Sequence, residues 1–150
     1  DRTRAEALDT KGCALEDRAW LLKDPTRFDP TDGGYQEADK VFRQALRQED
    51  DVARPEPYIH RGRNLFKWAE DQTNSGSLIG TPPPALLKDA GEALGEALKR
   101  LDKAPNPYLR AEANYWLGQV AVQDRGQALG ERQWADVRAA TTRAAGHFAE

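Results

Sequence analysis

Apolar residues recur at intervals of three and four along most of the chain, which is the period of an amphipathic helix. In YQEADKVFRQAL (35–46), Tyr35, Ala38, Phe42 and Ala45 fall on one helical face. No stretch alternates apolar and polar residues as a half-buried strand would. Ala, Leu, Glu, Gln, Arg and Lys dominate, and all are good helix formers. Breakers punctuate the pattern: Asp24-Pro25, FDPTDGG (28–34), ARPEP (53–57), TNSGSLIGTPPP (73–84) and APNP (104–107). DRGQALGE (124–131) is a weaker break, with Gly126 and Gly130 on either side of an apolar pair. Thr81 before a run of prolines reads as a helix N-cap. The pattern predicts six helices, at about 3–23, 34–49, 56–72, 84–103, 107–124 and 131–149. Short connections between helices favour antiparallel neighbours. The expected fold is therefore all-α, one domain over 1–150, with three consecutive antiparallel hairpins at roughly 3–49, 56–103 and 107–149.

The chain also repeats itself. RAEALDTKG (4–12) and RAEANYWLG (110–118) share the frame R-A-E-A-x-x-x-x-G. PEPYIHRGRN (55–64) lies over PNPYLRAEAN (105–114) at an offset of 50, which makes the first, third and fifth helices look like copies. Ala38-x3-Phe42-x2-Ala45-Leu46 matches Ala90-x3-Leu94-x2-Ala97-Leu98, 52 positions on. Alanine at two positions of one face lets a second helix come close, and the large residue between them fills the gap. The sixth helix offers only Ala144-x3-Phe148.

AEANYWLGQVA (111–121) resembles the first helix of a tetratricopeptide repeat, and YQEADKVFRQAL resembles the second. GEALGEALKRLDKAPNP (91–107) is similar to the end of such a repeat running into its proline. The resemblance implies a short TPR-like α-solenoid, with Gly12 and Gly118 at the close contacts between paired helices. The copies recur at 50 to 54 residues, against roughly 34 in the standard repeat. In the PxPY alignment Trp68 takes the glycine slot of the third helix. The family binds a protein or peptide in a concave groove lined by the first helices. Carried over, that face comprises Glu6, Asp9, Cys13, Glu16 and Asp17 in the first helix and Glu112, Tyr115, Gln119, Val122 and Gln123 in the fifth, with Leu65 and Ala69 in the third. Family members that clamp an acidic C-terminus use Lys and Asn where Asp9 and Cys13 stand here, so such a tail is not the expected ligand. Four carboxylates on the first-helix face attract a cation instead, and a partner with a basic segment is expected. The plainer reading is that these acids solubilise an exposed face.

Composition narrows the classes. Charged residues are 31%, hydrophobic ones 39%, and the net charge is −3. That balance argues against nucleic acid, which needs a concentrated positive surface. The cluster His60-Arg61-Gly62-Arg63 reads as a solvated helix face. No apolar run approaches the ~20 residues of a membrane span. The chain opens on Asp1 and holds no methionine, so either a leader was removed from an exported (periplasmic or secreted) form or the chain is an excerpt of a longer protein.

Signatures of chemistry are absent from the sequence: no HExxH, CxxC, P-loop, G-x-S-x-G or G-x-G-x-x-G. Asp29-Pro-Thr-Asp-Gly-Gly hints at a calcium loop, but Lys40 stands where an EF-hand needs Glu. Cys13 would be a nucleophile only beside a basic group, and its sequence neighbours Glu16 and Asp17 are acids. Trp20, Trp68, Trp116 and Trp134, with Phe42 and Phe66, are expected in the core, and Tyr58 and Tyr108 at hairpin corners. The expectation is a non-enzymatic binding module with no cofactor and no metal. Two alternatives stay open: an assembly that stacks on copies of itself or on flanking repeats, and an enzyme or small-molecule binder using the long 73–84 loop.

Overall fold

The structure, a computed structural model, describes residues 2–21, 34–48, 54–75, 83–130 and 141–147. Five helices are bounded: α1 (Arg2–Leu21), α2 (Gly34–Gln48), α3 (Glu56–Ser75), α4 (Pro83–Lys103) and α5 (Pro107–Gly130). Residues 141–147 are also helical. The protein is all-helical, and no strand occurs among the described residues. Thr81, Trp134, Phe148 and the breakers FDPTDGG and SGSLIGTP (75–82) fall wholly or mostly outside the described residues.

Local chemistry sets the helix ends. Asn106 Oδ1 accepts the Tyr108 and Leu109 amides at 3.1 and 3.2 Å, so Asn106 caps α5. Pro107 follows at the first helical position, where its missing N–H costs nothing. Pro57 and Pro83 sit in the first turns of α3 and α4 for the same reason. At the other end of α4, Arg100 and Lys103 oppose the negative end of the helix dipole. α5 runs through Gly126 to Gly130, about six residues past its expected end at 124. A glycine inside a helix costs only about 1 kcal/mol relative to alanine, and the weak break was not strong enough to stop it.

Each helix packs on the next, and α3 also touches α1 and α5. α2 buries Tyr35, Ala38, Val41, Phe42 and Ala45. The apolar centre lies among α3, α4 and α5. Leu65, Phe66 and Ala69 meet Leu86, Leu87 and Ala90, with Trp68, Trp116 and Val120 against them. Ile59 meets Leu94, Ala97, Ala113 and Leu117.

Gly12 and Gly62 are points of close helix approach. A Cβ at Gly12 would lie 2.5 Å from the Phe42 ring, and a Cβ at Gly62 would lie 2.5 Å from Leu94 Cγ. Phe42 and Leu94 are the large residues of the two matching Ala-x3-large-x2-Ala faces. This corrects the alignment of the third helix. Arg54-Pro-Glu56-Pro-x4-Gly62 carries the same Arg, Glu and Gly spacing as Arg4-Ala-Glu6-Ala-x4-Gly12 and Arg110-Ala-Glu112-Ala-x4-Gly118. Gly62 thus meets α4 as Gly12 meets α2, whereas Trp68 packs against the α3–α4 cluster, and Gly118 is likewise buried.

Candidate functional site: a groove above a charged seam

Two of the four first-helix carboxylates expected to face a partner are turned inward. Glu16 is fully buried in α1. Arg63 Nε and Nη2 donate to its two oxygens at 2.8 and 2.9 Å, and Lys67 Nζ lies 2.6 Å from Oε1. Asp9 is nearly buried and accepts from His60 Nδ1 at 2.9 Å. Glu6 pairs with Arg54 at 3.3 Å. The cations facing Asp9 and Glu16 are therefore those of α3 in the same chain, and the expectation of an open acidic surface on α1 fails for these two residues, whereas the Glu6 side chain stays 44% exposed beside Arg54. The basic cluster is corrected with it. His60, Arg61 and Arg63 are half-buried and ion-paired, with Arg61 Nε 2.8 Å from Asp39.

Each of these groups responds to its neighbours. Burial of the His60 ring works against its charge. Hydrogen bonds and charge from Asp9 and then Cys13 more than offset this, and raise its pKa to about 10. Burial likewise opposes the Arg63 charge, but Glu16, Cys13 and Glu112 raise its pKa above the usual value. The Tyr35 phenol is driven well up by burial and by Asp71, Glu16 and Glu70.

Above this seam the three odd helices line a groove of about 480 Å³. α1 contributes Asp17 and Trp20, and α3 contributes Arg63, Phe66, Lys67 and Glu70. Tyr115, Trp116 and Gln119 of α5 form the opposite side. The wall is aromatic: Trp116 packs on Phe66 with centroids 5.7 Å apart and meets Tyr115 edge-on at 5.1 Å. Lys67 Nζ stands 5.2 Å from the Trp20 ring centroid, a cation–π distance. Trp20 is 42% exposed and Tyr115 50% exposed, so the tryptophan expected in the core is a surface residue. A smaller depression of about 260 Å³, lined from α2, α3 and α4, holds Asp39, already bonded by Arg43 and Arg61.

Among the predicted face residues, the structure brings Asp17, Tyr115 and Gln119 together in this groove. Cys13 is half-buried, with Sγ 3.8 Å from Arg63 Nη2, and does not line the groove. Glu112 is half-buried and 3.6 Å from Arg63. Val122 is 47% exposed, and Gln123 is half-buried; neither lines the groove. Leu65 and Ala69 are core residues with no surface to offer a partner. The register of α3 explains that correction. The frame shared by Gly12 and Gly62 places Arg63, Phe66 and Lys67 opposite Cys13, Glu16 and Asp17, 50 positions on. All three line the groove, and the R-x-E-x5-G spacing of α3 was the signal that could have found them. The hairpin-corner tyrosines also diverge. Tyr58 is half-buried beneath Arg100, which donates to its hydroxyl at 2.8 Å, whereas Tyr108 is 86% exposed.

No protein-family model matches this chain, and searches of curated proteins and of solved structures find no match. Among the described residues no helix is long and apolar enough to cross a membrane.

Proposed function

We propose that the chain is a TPR-like helical-repeat scaffold, without enzymatic activity, that holds a protein or peptide segment in the groove between α1, α3 and α5. The observation that carries this reading is the pair of exposed aromatics, Trp20 and Tyr115, on opposite sides of an aromatic-walled groove. Tryptophan and tyrosine are the commonest anchors of protein interfaces. Two further facts support the repeat architecture. The R-x-E-x5-G frame occurs three times, and its glycine meets the large residue of the next helix in both pairs where that contact is described. Stacked repeats of this kind form a rigid surface, so little ordering entropy opposes binding.

The groove also suggests what it takes. Asp17 and Glu70 line it and form no ion pair among the described residues, while Arg63 and Lys67 are committed to Glu16. The ligand is a segment with an apolar or aromatic anchor next to a basic side chain. Selection from a displayed random-peptide library tests this. Selected peptides should carry that pattern and bind in a 1:1 ratio. Trp20→Ala and Tyr115→Ala should each weaken them at least about tenfold, a hot-spot effect. Tyr108→Ala, more exposed but outside the groove, should leave binding unchanged. Peptides indifferent to Trp20 and Tyr115 would refute the groove, and a chain that self-associates in light scattering through these residues would favour assembly instead.

A further inference from the structure

The base of the charged seam holds a second kind of chemistry. Asp9 and Cys13 are four residues apart on α1, so they share one helical face. His60 reaches them from α3. A carboxylate oxygen, the thiol sulfur and an imidazole nitrogen all lie within 4.8 Å of one another. We propose that Asp9, Cys13 and His60 form a binding site for a divalent transition-metal ion of the zinc class, which clips α1 to α3.

The donor set fits that class of ion. Zinc takes thiolate, imidazole and carboxylate ligands at about 2.0–2.3 Å, most often in a tetrahedron. Ligand atoms around such an ion stand roughly 3.5 Å apart by that geometry, so modest side-chain rotation closes the present spacing without moving either helix. Calcium and magnesium, which take oxygen ligands, do not suit a site with sulfur and nitrogen. Cys13 and His60 are half-buried, which leaves the fourth position to a water on the solvent side, as in three-ligand zinc sites.

The surroundings fit as well. Arg63 Nη2 already points at Cys13 Sγ from 3.8 Å, and an N–H donor to a metal-bound thiolate is a common outer partner. Arg63 is held in place by its two bonds to Glu16, so its charge is matched before any ion arrives.

The test uses the full chain, stripped with EDTA and titrated with Co²⁺ as a spectroscopic probe and with Zn²⁺ for stability. Cys13 is the only cysteine, so a thiolate-to-cobalt charge-transfer band identifies its sulfur as a ligand. The expected result is that band saturating at one Co²⁺ per chain, with a Zn²⁺-dependent rise in melting temperature. Cys13→Ser should fold by circular dichroism and lose the band. His60→Gln should weaken Co²⁺ binding at least about tenfold, the least that loss of a support to a metal site costs. Absence of both the band and the zinc effect would leave His60 and Asp9 as an ion pair only. Binding without a thiolate band, or undiminished in His60→Gln, would place the ion elsewhere; either result overturns the proposal.

Discussion

α3 is held on two sides by opposite means. Toward α4 it offers Leu65, Phe66 and Ala69, and it meets Leu86, Leu87 and Ala90. Gly62 lets Leu94 press against its backbone. Toward α1 it offers His60, Arg63 and Lys67, with Arg54 just before its first turn, and these meet Asp9, Glu16 and Glu6. The apolar seam gains from removing surface from water and from dense packing. The charged seam first loses the hydration of its ions and recovers that loss only through good geometry. The groove sits where the charged seam surfaces, so it rests on the part of the molecule whose fit depends most on complete partners.

The largest test removes those partners. Arg63→Met with Lys67→Met leaves the fully buried Glu16 without a cation. Urea denaturation should show a loss of about 4 kcal/mol, the cost of an uncompensated buried charge. Replacing Glu16 as well, by Leu, should restore most of that loss, because a packed apolar triad often equals or exceeds a buried ionic one. If the triple variant is no more stable than the double, the charged seam does more than satisfy its own ions.

Gly62→Ala probes the other seam. The new Cβ would lie 2.5 Å from Leu94 Cγ and 3.2 Å from the Ala90 carbonyl oxygen, a backbone atom that cannot swing away. Overpacking of this kind costs about 2 kcal/mol. Thermal melts should show that loss. An unchanged midpoint would mean that α3 and α4 can separate without cost.

A smaller effect is carried by pH. Folding raises the His60 pKa from 6.5 to about 10. The stability it contributes is thus fully present below pH 6.5 and is lost as pH rises through 10. In EDTA, denaturation at several pH values across that window should show wild type losing more stability than His60→Gln. Parallel curves would deny the imidazolium a part in the seam. The smallest effect belongs to Trp20→Ala. Trp20 is 42% exposed, so the change should alter stability by about 0.5 kcal/mol or less, although it removes one side of the groove. A large loss of stability would make Trp20 part of the framework.

The apolar faces of the even helices were largely readable in the sequence, and the charged seam was not. Ala38, Phe42 and Ala45 announce a face by their spacing alone, and Phe42 does pack against Gly12. Periodicity reports which side of a helix is apolar. It cannot report that Glu16, an acid on a polar stripe, is buried, because its partner Arg63 lies 47 residues away. Cys13 shows the same limit. Its near neighbours in sequence are acids, yet the fold sets His60 and Arg63 beside it. The third helix departs from its PxPY alignment for a different reason. The PxPY match is eye-catching but marks only a helix start, where proline is tolerated in any helix. The Arg54, Glu56 and Gly62 spacing carries the packing constraint and places Arg63, Phe66 and Lys67 in the groove.

Glu16 has one more consequence. Two apolar helix surfaces can slide past each other by a turn and still exclude water, so they leave their alignment loosely defined. A carboxylate clasped by Arg63 on one side and Lys67 on the other has no such freedom. Shifting α1 by four residues along α3 would carry Glu16 out of its clasp while keeping it buried. Only one register of α1 is then tolerable, much as a single buried polar residue fixes the alignment of a coiled coil. The charged seam serves as an indexing pin: it sets where Asp17 and Trp20 stand opposite Tyr115, and so fixes the width of the groove.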